Sequence, residues 1–101
     1  MEEHAKISYS PLALRDLEGI FDHIAVDSPL QAEKLTTKIL DRVSRLARFP
    51  MSGARPRDPR LQAKGYRFLV IDEYLVFYVL KRRTVRIRCV LHGARRYAFL
   101  L

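Results

Sequence analysis

The sequence holds one cysteine, Cys89, and no tryptophan. A lone thiol forms no internal disulfide and offers no Cys pair to zinc, so a reducing compartment is expected. No apolar run approaches the roughly 20 residues that a membrane helix needs. The longest, such as "YLVFYVL" (74–80), have the length of a strand. The first residues, "MEEHAKISYS", are acidic and then alternate, unlike a signal peptide, so the expected location is the cytoplasm, away from any membrane. The histidines, His4, His23 and His92, are scattered without His-x-x-x-His spacing, and the glycines form no phosphate-binding loop. Acid is scarce in the second half, where residues 51–101 hold only Asp58, Asp72 and Glu73. A two-metal nuclease needs a cluster of carboxylates to hold its ions, so neither metal-dependent phosphodiester chemistry nor any cofactor is expected.

What is abundant is arginine, and it is unevenly placed. Residues 1–50 carry seven Lys/Arg against eight Asp/Glu, net −1, whereas residues 51–101 carry twelve against three, net +9. Fourteen of the nineteen basic residues are arginine, whose planar fork matches phosphate oxygens two at a time. One half reads as a near-neutral scaffold; the other faces something anionic, a nucleic acid, a ribonucleoprotein or an acidic protein. At 101 residues the chain makes one domain with one modest core.

The periodicity changes once along the chain. "KISYS" (6–10) alternates as a short strand. Ser10-Pro11 then starts a helix, the serine capping and the proline standing where a missing N–H costs nothing, with Leu17, Ile20, Phe21 and Ile24 on one face. Ser28-Pro29 starts a second helix, with Ala32, Leu35, Ile39, Val43 and Leu46 in one stripe and Pro50 at its end. The short connection predicts an antiparallel hairpin. Residues 49–65, rich in proline and basic residues, read as a long, partly ordered loop. Beyond them "YRFLVI" (66–71), "YLVFYVLK" (74–81) and "TVRIRCVL" (84–91) alternate with period two, separated by Asp72-Glu73 and Arg82-Arg83, which predicts an antiparallel three-stranded meander. Strict alternation puts Val85, Ile87, Cys89 and Leu91 on one face, beneath the helices, and Arg86, Arg88, Val90 and His92 on the other. The expected fold is α+β.

Metal-free RNA cleavage stays open to such a chain. The ribose 2′-OH is the nucleophile, and the protein must take its proton, offset phosphorane charge and help the 5′ oxygen leave. Arginine does the second task but not the others, since its pKa stays above about 12. The proton-transfer candidates are His92, Tyr97, Tyr66 and Lys64. The charge-stabilising candidates are Arg67, Arg88, Arg95, Arg96 and the loop residues Arg55, Arg57 and Arg60, with Arg86 on the same strand as Arg88. His92, Arg95, Arg96 and Tyr97 form the densest set. The competing readings are structural: His92 as a strand cap, Tyr97 as an anchor for the tail, Arg82-Arg83 as a solvated turn. Tyr66, Phe68, Tyr74 and Tyr78 would serve as core or as platforms for unpaired bases.

Strand, two capped helices, "FPMSG" (49–53), "GYRFLV" (65–70), "YLVFYVL" (74–80) and "VLHGARRY" (90–97), in this order and spacing, resemble toxins of the RelE/ParE superfamily of type II toxin–antitoxin modules, often called plasmid stabilisation proteins. The resemblance spans residues 6–101. It implies an antiparallel sheet with a helical hairpin on one face, and a cognate antitoxin that wraps the toxin and blocks it. It also implies inhibition of the growth of the toxin's own cell. RelE-like members cut mRNA in the ribosomal A site without metal; ParE-like members poison DNA gyrase by binding, without catalysis. On the first pattern Arg67, His92 or Arg95, and Tyr97 stand at catalytic positions, with Arg55, Arg57, Arg60, Lys64, Arg86, Arg88 and Arg96 on nucleic acid. No Glu lies between Glu33 and Glu73 to act as the base that some nuclease members use, and the loop lacks the paired lysines of others. Ribosome-dependent mRNA cleavage is favoured narrowly over gyrase inhibition. A plain RNA-binding module ranks third, because no long C-terminal helix of a double-stranded-RNA-binding domain is present.

Overall fold

The computed structural model describes residues 4–93 and residue 100. Strand β1 (Lys6–Tyr9) leads into helices α1 (Pro11–Ala25) and α2 (Pro29–Ser44), the second tightening into a 3₁₀ turn at Arg45–Ala47. A short helix α3 (Pro59–Ala63) precedes strands β2 (Tyr66–Ile71), β3 (Tyr74–Lys81) and β4 (Thr84–His92). The two long helices begin where the serine–proline pairs place them. Ser10 Oγ accepts from the Ala13 amide at 3.0 Å and Ser28 Oγ from the Gln31 amide at 3.2 Å, each meeting one of the first-turn N–H groups that a helix leaves unpaired. Helix α3 was not expected, since the sequence between 49 and 65 reads as loop. Its start obeys the same grammar, with Asp58 accepting from the Arg60 amide at 2.8 Å just before Pro59.

The sheet runs β1-β4-β3-β2. The meander is antiparallel as expected, but β1 lies parallel to β4, with Lys6 opposite Thr84 and Tyr9 opposite Ile87, so the sheet is mixed. Parallel neighbours need a long connection, and the helical hairpin and the meander supply it. At Ser10 the chain turns away into α1, and the start of that helix completes the pairing. The Ser10 amide donates to Ile87 O at 2.9 Å, Ser10 Oγ donates to Arg88 O at 2.8 Å, and the Asp16 carboxylate accepts from the Val90 amide at 2.9 Å.

The main core lies between the hairpin and the sheet. Ala13 and Leu17 of α1 and Ile39 and Val43 of α2 meet Ile71, Val76, Tyr78, Val85, Ile87 and Val90. Each large aliphatic side chain buried there contributes about 1.5–3 kcal/mol. A second cluster sits on the far face of the sheet, where Leu61 of α3 and Leu100 cover Tyr66, Phe77, Cys89 and Leu91.

This division corrects the faces expected for β4. Phe77 stands opposite Cys89 but Tyr78 opposite Ile87, so Arg88 is an extra residue, a β-bulge. An inserted residue shifts the side-chain period by one. Val85 and Ile87 do face the helices, but Cys89 and Leu91 face away from them, and Val90 faces them instead. Tight turns close the hairpins. Arg82 (φ 51°) and Arg83 (φ 66°) both occupy the left-handed region, as a two-residue type I′ turn requires, and Asp72 (φ 53°) does so in the β2–β3 turn.

Candidate functional site

The residues singled out in the sequence separate into three places. Arg67 holds a loop. Its guanidinium donates to Gly53 O at 2.9 Å and to Met51 O at 3.2 Å. Directly opposite it on β3, the buried Tyr78 hydroxyl donates to Pro50 O at 2.8 Å and accepts from the Gly53 amide at 2.9 Å. Glycine is required here, because a Cβ at position 53 would overlap the Tyr78 hydroxyl and ring. Burial pushes the Tyr78 pKa up, while the Gly53 hydrogen bond and the Arg67 charge pull against that rise. "FPMSG" is thus the segment fastened by Tyr78 and Arg67, and a bridge between Ala54 and Phe68 continues it as an edge of the sheet. The fastened loop presents Phe49 and Met51, 61% and 57% exposed, together with exposed Arg55 and Arg57. Arg60, by contrast, folds back on Asp58 through Nε and a terminal nitrogen at 3.2 and 3.0 Å. That hydrogen-bonded guanidinium draws the Asp58 carboxyl below its ordinary range.

His92 ends β4 at the opposite corner. Its Nε2 lies 3.3 Å from a Glu73 carboxylate oxygen, and its ring meets Tyr74 edge-on with centroids 5.5 Å apart. These residues border a cleft of about 1100 Å³ between α1 and the β2–β3 turn, lined also by Arg15, Asp16 and His23. Arg67 and His92 are therefore not neighbours. Arg67 pairs with Tyr78 and His92 with Tyr74, which puts them roughly 13 Å apart along the strands and about 10 Å across β3, or about 16 Å in all. Arg95, Arg96 and Tyr97 lie outside the described residues.

The third place is the far face of the sheet near the β3–β4 turn. Lys64, Lys81, Arg86 and Arg88 ring a shallow cavity of about 460 Å³ floored by Tyr66 and Val79. Arg86, Val79 and Tyr66 form one cross-strand row, so alternation from Val79 also brings Lys81 to this face. Sequence reasoning passed over Lys81, although its two-residue spacing from Val79 was the available signal. Of the aromatics named as stacking platforms, Tyr66 is 6% exposed and Tyr78 fully buried, so these two belong to the core, whereas Phe68 and Tyr74 are half-buried. Cys89 is buried with Tyr66 and Phe77, and burial, followed by the Asp16 charge, pushes its thiol up to about 12. Among the described residues no three His, Cys, Asp or Glu side chains converge as metal ligands, and no helix is long and apolar enough to cross a membrane.

Residues 7–97 match the profile of the ParE toxin of the type II toxin–antitoxin system parDE. The chain belongs to the ParE toxin family. It is a type II toxin of the RelE/ParE superfamily. This ParE-family chain superposes on a structure of the chromosomal ParDE toxin–antitoxin system of P. aeruginosa with a TM-score of 0.75 and 21% identity, over 90% of this chain and 98% of that one. It also superposes on the RelBE2 toxin–antitoxin complex of Mycobacterium tuberculosis, with a TM-score of 0.65 and 20% identity, over 88% and 98%. At such identities the likeness is one of fold. A search of curated proteins gives no significant match. The α+β architecture read from the ParE-family sequence is the one observed.

Proposed function

We propose that this toxin arrests its own cell by binding DNA gyrase without catalysis, and that a cognate antitoxin restrains it. The observation that carries this reading is the position of Arg67. Its guanidinium holds the carbonyls of Met51 and Gly53, and its backbone position on β2 is about 16 Å from that of His92 on β4 by the strand spacing. Acid–base cleavage needs proton donor, acceptor and charge stabiliser around one phosphate, within about 3 Å of the moving protons. The family match to ParE supports the same direction. A binding mode asks instead for rigid exposed anchors, and the fastened loop with Phe49 and Met51 beside Arg55 and Arg57 supplies a patch of that kind. For the antitoxin, the hairpin leaves Leu14, Leu30 and Leu40 exposed, an apolar surface suited to an amphipathic partner. Both fold neighbours come from toxin–antitoxin systems, which supports a partner of that class.

The test is a plasmid supercoiling reaction with purified gyrase and ATP, run beside primer extension on a defined mRNA in a purified translation reaction. Loss of supercoiling with an intact message is the expected result. Ribosome-dependent cuts in the A-site codon, with gyrase unaffected, would reverse the reading and return Arg67, His92, Arg95 and Tyr97 to the catalytic roles suggested by the sequence.

A further inference from the structure

The basic end of the far sheet face has no role in the reading above. From Lys81 to Arg88 the chain has five basic residues and no acidic one, and the β3–β4 turn folds that segment onto itself. The bulge at Arg88 matters here: it sets an arginine beside the row that Arg86 heads, both of them at the rim of the same cavity. Lys64 arrives from the end of α3, its Nζ 3.3 Å from Leu100 O. The acidic residues of this half stand elsewhere. Asp58 is engaged by Arg60, Asp72 pairs with Lys38 on the helix side, and Glu73 lies beside His92 at the other end of the strands. Four cations from three elements thus border one shallow cavity, and among the described residues no Asp or Glu lines it.

We propose that Lys64, Lys81, Arg86 and Arg88 form a binding site for the phosphate backbone of a nucleic-acid double helix. Exposed lysine and arginine heads around a shallow depression suit successive phosphates, which set affinity without reading sequence. The duplex is favoured over a single strand because single-strand sites pair their cations with open aromatic faces for the bases. Here the ring in the cavity, Tyr66, is 6% exposed and packs edge-on with Phe77, centroids 6.4 Å apart. The site is independent of the gyrase reading, since it involves none of the loop or cleft residues.

The test is fluorescence anisotropy of the full chain with 20-base-pair DNA duplexes of two unrelated sequences, a duplex RNA and a single-stranded RNA, across a salt series. Three to four phosphate contacts predict that affinity for duplex falls roughly 40- to 150-fold between 50 and 200 mM salt, equally for both DNA sequences. Arg86→Gln and Arg88→Gln should each reduce the logarithmic salt slope by about one. All three sites of the triple variant K81Q/R86Q/R88Q are exposed, so its circular dichroism should match the parent while duplex binding is lost. A loop variant, R55Q/R57Q, removes two exposed charges elsewhere on the surface and should keep most of the affinity. DNA bound more tightly than duplex RNA, or the reverse, identifies which helix form the site fits and supports it either way. The proposal is overturned if duplex binding survives in the triple variant, if the loop variant abolishes it, if single-stranded RNA binds more tightly than duplex, or if no salt-dependent binding occurs.

Discussion

Replacing Tyr78 by Phe removes one oxygen atom and isolates what fastens the "FPMSG" loop. The ring stays in the core, where Tyr78 is the largest fully buried side chain among the described residues, so no cavity opens beyond the hydroxyl itself. Two hydrogen bonds disappear, to Pro50 O at 2.8 Å and from the Gly53 amide at 2.9 Å. A net bond contributes about 1 kcal/mol, and a buried N–H left without a partner costs about 1–3 kcal/mol. Pro50 is half-buried and its carbonyl regains water in part, whereas Gly53 is buried and its amide does not. The expected loss is therefore about 2–3 kcal/mol, or roughly 10 °C in Tm for a domain of this size. Equilibrium urea unfolding followed by circular dichroism measures it, with the slope m unchanged because the same surface is exposed on unfolding. A loss below about 0.5 kcal/mol, half of one net bond, would mean that water replaces the hydroxyl at little cost and that the loop is not fastened as described. The same reasoning bears on Arg67. An Arg67→Ala variant that loses toxicity must be compared with the parent for stability, because that arginine holds two carbonyls of the same loop.

Other outcomes follow from single features. The double variant R82N/R83G should raise stability by about 1–2 kcal/mol, read as a higher urea midpoint, because both arginines hold left-handed backbone that Asn and Gly adopt at lower cost. Cys89, with its thiol held up at about 12 and its side chain fully buried, should react with iodoacetamide near neutral pH only as fast as the protein unfolds; rapid labelling of native protein would contradict its placement. Burial raises the pKa of both Tyr9 and Tyr78 above the ordinary 10.0, so their neutral forms contribute stability that is complete below the unfolded value and is lost as pH rises through the folded values. Urea midpoints measured from about pH 9 upward should fall, and the fall should be smaller in Tyr78→Phe.

Local chemistry made most of the fold legible. Serine–proline pairs mark both long helices, and period-two runs mark the meander, because caps and alternation depend on neighbours in sequence. Helix α3 was readable by the same rule, from Asp58-Pro59, but its five residues are too few for an apolar stripe. The face of His92 was not readable. One extra residue at Arg88 reverses every side chain that follows it, and nothing in "VRIRCVL" distinguishes a bulged strand from a regular one. Arg67 was legible as an arginine on the first strand of the meander. The carbonyls that occupy it come from 14 and 16 residues earlier, a pairing that only the folded loop reveals.

The parallel seam between β1 and β4 also fixes an order of events in folding. Lys6 pairs with Thr84, and Ser10 Oγ reaches Arg88 O across 78 residues of sequence. The helical hairpin is assembled from local contacts and closes early, whereas the seam carries the loop-closure entropy of most of the chain. During synthesis the hairpin therefore emerges with Leu17, Ile39 and Val43 bare, and these stay bare until the strands that cover them, as far as Val90, have followed. A nascent toxin is thus a short-lived apolar hairpin before it is a sheet, and any partner that recognises the hairpin can engage the chain before its final strand exists.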